Sequence, residues 1–300
     1  MFREEIWSSL RFSKPAESLL DRTWPAATAV RTMAAIERRV FPVRARAAED
    51  RIGRALSAGP SAAREIHQLS LESELREQAD CARFMHRPDR LASFLPDAAR
   101  LPRTDGPTLF ASLHMGSPVL LSAFLHQNSG LDVRPIIREL GEGNPMASAR
   151  SRWGDRKVRW LEKTLGLRPL GTDARSTAQA RSHLLDGNAL FAALDVPAGG
   201  SGRAAAFPLF GQRWAFASGA LKLAALTDAR VVPIIGISRD RSLSVACGTP
   251  QRAADADALG AAVFREFEEL IRGDPGEWWM WPYLAEAPEP EPVDKPGAAS

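Results

Sequence analysis

The feature that most constrains this chain begins after Pro107, where short apolar runs alternate with longer helical stretches. Thr108 to Leu113 (TLFASL), Val133 to Ile137, Ala189 to Leu194 (ALFAAL), Val231 to Ile237 and Ser242 to Cys247 read as strands. Between the first two, Ser117-Pro118 opens a helix, with Ser at the N-cap and Pro at the first helical position. Asn144-Pro145 starts a longer basic helix towards Leu165, and Thr172 to Leu185 forms another, closed by Asp186-Gly187. Trp214 to Leu226 and Ala256 to Arg272 complete the helical set. Strands exchanging with helices in this way predict an α/β fold: a mixed, mostly parallel central sheet flanked by helices on both faces.

Residues 1–100 read differently. Apolar positions recur at three-to-four spacing through Ala34, Ile36 and Val40, and again through Ile66, Leu69, Leu71 and Leu75. Pro42, Pro60 and Pro88 break the run into joints. This region is expected to be an N-terminal helical layer, a lid or docking surface without a catalytic cluster. The α/β core is expected over 101–284. Residues 285–300 (AEAPEPEPVDKPGAAS from Ala285) are Pro- and Ala-rich and are expected to be a disordered tail.

Composition excludes several classes. Three hundred residues, 45% hydrophobic and 25% charged, form a globular chain with a sizeable core. Cys81 and Cys247 lie far apart without His or Cys at ligand spacing, so neither a disulfide framework nor a zinc site is expected. Arginine dominates the basic residues, as it does in chains from high-GC genomes. The net charge is +3, but Leu131 to Leu170 holds nine Lys/Arg against five Asp/Glu. That excess fits a solvated helix face or a surface for phosphate groups; no nucleic-acid motif accompanies it. No apolar run approaches the roughly 18 to 20 residues that span a bilayer, and the first residues (MFREEIWSSLRFSK) lack a signal-peptide pattern. A cytoplasmic protein with at most peripheral membrane contact is expected.

In open α/β sheets, ligands bind beyond the carboxyl ends of the strands. Two polar residues stand at such ends: His114 after TLFASL and Asp195 after ALFAAL. A histidine just before a helix start feels the positive end of the helix dipole, which favours the neutral imidazole that acts as a base. Arg138 ends the second strand and could hold a headgroup or phosphate. The loop Gly199-Gly200-Ser201-Gly202-Arg203 could bind phosphate through its amides and guanidinium, or be a plain turn; it lacks a nucleotide P-loop ending. Ser117 lacks a Gly-x-Ser-x-Gly elbow and reads as a cap, not a nucleophile. Trp278, Trp279 and Trp281 read as core or interface packing.

The order of these pieces resembles the lipid A (lauroyl/myristoyl) and phosphatidylinositol mannoside acyltransferases of the lysophospholipid acyltransferase superfamily. Leu113-His114-Met115-Gly116 precedes a capped helix; Ile136-Ile137-Arg138-Glu139 and Asn144-Pro145 follow. Leu185-x-Gly187 leads to a strand and Asp195, then Phe207-Pro208-Leu209-Phe210-Gly211, Ser218-Gly219, Val232-Pro233 and Glu277-Trp278-Trp279-Met280-Trp281. The resemblance covers about Thr108 to Trp281.

That resemblance implies an acyl thioester donor, on acyl carrier protein or CoA, a lipid or small-molecule acceptor, and no cofactor. It implies His114 as the base, with Asp195 and Glu139 at acidic site positions. The family's signature places Asp or Glu five residues after the histidine; here that position is Val119. Either Asp195 orients His114 instead, or the chain is an inactive relative that binds acyl chains or a carrier protein. A thioesterase-like hydrolase would use the same histidine. Backbone N–H groups of Gly116 and Ser117 are the expected oxyanion donors. The lack of an N-terminal membrane anchor argues against a resident lipid A enzyme and leaves room for a soluble acceptor.

Overall fold

In the computed structural model the structure describes residues 25–96, 101–102, 105–137, 148–197, 204–239 and 242–284. Three helices open the described chain: α1 (Pro25–Val40), α2 (Pro42–Leu56) and α3 (Pro60–His86). Each begins with proline, whose missing N–H is no loss in a first helical turn. The joint at Pro88 is a single 3-10 turn leading to the short α4 (Leu91–Phe94).

The alternating region follows as β1 (Thr108–Ser112), α5 (Pro118–Asn128), β2 (Val133–Pro135), α6 (Ser148–Leu165), α7 (Ala174–Leu185) and β3 (Ala189–Ala193). Then come β4 (Ala204–Leu209), β5 (Gln212–Ala217), α8 (Gly219–Leu226), β6 (Arg230–Arg239), β7 (Ser242–Cys247) and α9 (Ala256–Gly273). The main sheet has the order β2-β3-β1-β6-β7. Its first four strands run parallel, and β7 pairs antiparallel to β6. The expected α/β architecture is therefore present, with β1 at the sheet's centre.

Both faces of that sheet are buried, and alternate residues serve opposite cores. Leu109 and Ala111 of β1, with Leu190 and Ala192 of β3, meet Leu184 of α7, Leu221 of α8 and Phe264 of α9. Phe110, Phe191, Val232 and Ile234 face the other way, towards Leu121 and Phe124 of α5 and Trp160 of α6. This is the two-residue period of a strand written into two hydrophobic layers. The N-terminal helices add a further layer: α3 packs against α1, α2 and the segment Pro275–Glu277.

Three local expectations change. Trp214 to Leu226 is not one helix: residues 212–217 form β5, which pairs antiparallel with β4, and only Gly219–Leu226 is helical. Phe210 and Gly211 both have positive φ, 55° and 71°, which closes a two-residue hairpin turn. Phe207 and Phe216 then each stack on Phe264, with ring centroids 4.9 Å away. The second strand stops at Pro135, and Ile136 adds only an isolated bridge to Leu170. The helix expected from Thr172 starts at Ala174, because the Asp173 side chain caps it by accepting from the Arg175 and Ser176 N–H groups.

The expected helix start at Asn144-Pro145 and the tail from Ala285 lie outside the described residues. Among the described residues no helix is long and apolar enough to cross a membrane.

Candidate active site

Parallel strands place their carboxyl ends on one edge, and the register here brings two of those ends level. Ser112 of β1 pairs with Ala193 of β3, and Leu194 N–H donates to the Ser112 carbonyl at 2.8 Å. His114 and Asp195 each lie two residues beyond that last pair, so they emerge side by side. His114 Nδ1 lies 2.7 Å from Asp195 Oδ1, and the His114 backbone N–H donates to Asp195 Oδ2 at 2.8 Å.

Asp195 is fully buried, and burial of a carboxylate is costly unless donors compensate it. A third donor completes the set: Trp278 Nε1 donates to Asp195 Oδ2 at 2.8 Å. A carboxylate can only accept from a ring N–H, so this contact favours the tautomer with the proton on Nδ1 and leaves Nε2 as the nitrogen suited to take a proton. The His114 side chain is 32% exposed while Asp195 is sealed. This is the arrangement of a general base held by a buried orienting acid.

The segment after α9 wraps the histidine. Met115 forms an antiparallel bridge with Trp278, Gly116 N–H donates to the Glu277 carbonyl at 3.0 Å, and Trp279 N–H donates to the His114 carbonyl at 3.0 Å. The Trp279 ring meets the imidazole edge-on, with centroids 5.5 Å apart. Trp278 and Trp281 pack at 4.7 Å in a T-shaped pair. The tryptophan cluster is core packing as expected, and Trp278 is also a ligand of the carboxylate. Sequence reasoning missed this role; the usable signal is that a buried indole N–H needs an acceptor.

Gly116 and Ser117 need correction. Gly116 has φ +61°, and a Cβ there would lie 2.4 Å from the Gly236 carbonyl oxygen, so only glycine fits. That close approach uses up the amides: Gly116 N–H bonds Glu277, and Ser117 N–H donates to the Gly236 carbonyl at 2.7 Å. Neither is available as an oxyanion donor. Ser117 does occupy the N-cap position of α5, but its side chain makes no capping bond. Its Oγ is buried without a partner.

At Val119, the position where the resembled acyltransferases carry an acid, the side chain is partly buried. It packs against a cluster of Cys81, Ala82 and Trp153, and it also touches the core around α5. An unpartnered carboxylate would be costly in that setting. Burial also pushes the Cys81 thiol pKa well above its ordinary value. Neither Cys81 nor Cys247 forms a disulfide, and no group of metal-ligating side chains occurs among the described residues.

The structure thus brings His114, Asp195, Gly116 and Ser117 to one strand-end region, with only the first two in chemical contact by their side chains. Arg138, Glu139, Arg203 and the glycines from Gly199 to Gly202 lie outside the described residues. The fold and the site together define an α/β protein with a His–Asp pair at the carboxyl edge of its central strands. No protein-family model matches the chain, and no curated protein sequence is significantly similar to it.

Proposed function

We propose that this chain is an acyltransferase of the lipid A acyltransferase-like type. It would move an acyl group from an acyl carrier protein or CoA thioester to a hydroxyl or amine acceptor. The observation that carries the reading is the 2.7 Å contact between His114 Nδ1 and buried Asp195 at two adjacent strand ends. It supplies the orienting acid that Val119 cannot, and it favours the active reading over that of an inactive relative.

The chemistry runs through His114 Nε2. This nitrogen takes the proton of the acceptor O–H or N–H as the acceptor atom attacks the thioester carbonyl carbon. The C=O electron pair moves to oxygen, giving a tetrahedral oxyanion. When that pair returns, the C–S bond breaks and the leaving thiolate takes the proton from the imidazolium. Asp195 stabilises the imidazolium throughout and fixes its ring. The products are the acylated acceptor and a free thiol, with no covalent enzyme intermediate. Arg138, Glu139 and Arg203 remain proposed substrate contacts on the family resemblance and the residue types alone. A cytoplasmic location, with at most peripheral membrane contact, belongs to the same proposal.

The test is thiol release from medium- and long-chain acyl-CoA and acyl carrier protein, with and without hydroxyl and amine acceptors. Wild type should release thiol only with an acceptor. His114→Ala should lower kcat by roughly 100- to 10,000-fold, the contribution of a general base. Release without acceptor would mean hydrolysis. Binding of a thioester with no turnover would mean a scaffold.

A further inference from the structure

A row of polar side chains on α3 lies buried behind the His114 loop. Ser73, Glu77 and Asp80 are each under 5% exposed, and they recur with the half-buried Arg76 at three-to-four spacing along one helix face. Their partners come from distant parts of the chain. Glu277 Oε2 accepts from Ser73 Oγ at 2.6 Å, and Glu277 Oε1 accepts from the Arg76 guanidinium at 3.2 Å. Arg239 adds a second cation 3.5 Å from the same oxygen. One helical turn further on, Asp80 accepts a hydrogen bond from Ser238 Oγ. Ser238 lies two residues beyond Gly236, whose carbonyl holds the Ser117 N–H.

Glu277 is itself 5% exposed, so its carboxylate stays buried because these groups satisfy it. Its backbone connects directly to the site. The Glu277 carbonyl accepts from Gly116 N–H, the next residue donates its indole N–H to Asp195, and the residue after that donates its amide to the His114 carbonyl.

We infer that Glu277 is a positioning residue for the His114–Asp195 pair, held in place by Ser73 and Arg76 of the N-terminal layer. This rests on His114 and Asp195 being the reacting pair. Fixing the Glu277 side chain fixes the register of residues 277–279 along the His114 loop. That register sets the angle at which Trp278 and the imidazole share the Asp195 carboxylate. Helix α3 of the N-terminal layer therefore contributes to the site through Ser73 and Arg76.

The test has two readouts on the full-length chain. Long-range proton–nitrogen NMR of ¹⁵N-labelled protein reports which ring nitrogen of His114 carries the proton, its signals assigned by their loss in His114→Ala. Thiol release from acyl-CoA gives kcat and KM. Wild type should hold the Nδ1–H form. Glu277→Ala should move His114 towards a mixture of both tautomers and lower kcat at least tenfold with KM little changed. Glu277→Gln, which keeps an acceptor for Ser73, should restore most of both.

Leu75→Ala is the control, since it weakens α3 on its α1-facing side without touching Glu277. It should keep the wild-type tautomer. If Glu277→Ala does not fold, Ser73→Ala carries the test with a smaller shift in the same direction. A wild-type tautomer in the Glu277 or Ser73 variants, or an equal change in Leu75→Ala, overturns the inference. A Glu277-dependent tautomer in a chain with no thioester turnover leaves it standing and removes the acyltransferase reading instead.

Discussion

Asp195 is the residue around which the site is organised: both of its oxygens are occupied by N–H donors, and all three donors come from the residues it has to align. His114 and Asp195 were legible from sequence because each directly follows a short apolar strand, and parallel pairing does the rest. Trp278 was not, because nothing near it in sequence says where its N–H points. Ser117 shows the opposite case, a sequence signal that tertiary packing overrides. Its hydroxyl sits where a cap should be, yet the loop is pinned by backbone contacts to Gly236 and Glu277, and Oγ is buried unpaired. A buried hydroxyl without a partner costs about 1 to 3 kcal/mol. Ser117→Ala should therefore be neutral or up to about 1 kcal/mol more stable in urea unfolding, with thiol release within about twofold of wild type. A loss of activity comparable to that of His114→Ala would make Ser117 a participant after all.

At the scale of elements, the parallel strands and the helices between them follow from the length and apolar content of each run. The hairpin β4–β5 did not, for two physical reasons. WAFASGALKLAAL is apolar apart from Ser218, Gly219 and Lys222, so periodicity alone does not separate a strand from a helix. The turn at Phe210-Gly211 also uses a phenylalanine at positive φ, where Asn or Asp is the usual sign. What selects the strand is tertiary: alternate residues Trp214 and Phe216 face inward, and Phe264 of α9 stacks on both Phe207 and Phe216. Helix α3 was legible as a helix but not as part of the site. Its apolar spacing through Leu69 suggests an ordinary core stripe, yet Leu69 is 42% exposed and Ser73, Glu77 and Asp80 are buried. Those polar groups are stable inside only because Glu277, Lys157 and Ser238, remote in sequence, supply the missing hydrogen bonds. A helical wheel cannot contain that information.

For the whole molecule, two hydrophobic layers enclose the sheet, and the N-terminal helices are joined to it through buried polar contacts. Stability also depends on pH at His67, buried on α3 with Nδ1 3.6 Å from the Glu49 carboxylate of α2. Burial, opposed in part by Glu49, lowers its pKa from 6.5 to about 4. Between those values the unfolded chain binds the proton more readily than the folded one, so stability is full above about pH 6.5 and falls as pH drops towards 4. The loss should reach about 3 kcal/mol for a shift of this size. Urea unfolding across this range should show a slope in wild type that His67→Gln flattens; parallel curves would contradict the assignment. The His114–Asp195 pair is tested most directly by kcat/KM for acceptor-dependent thiol release by Asp195→Asn. If Asp195 orients His114 for acyl transfer, this variant should fold, bind the thioester, and lose roughly 100- to 10,000-fold in turnover. A turnover within about twofold of wild type would contradict the His114–Asp195 mechanism.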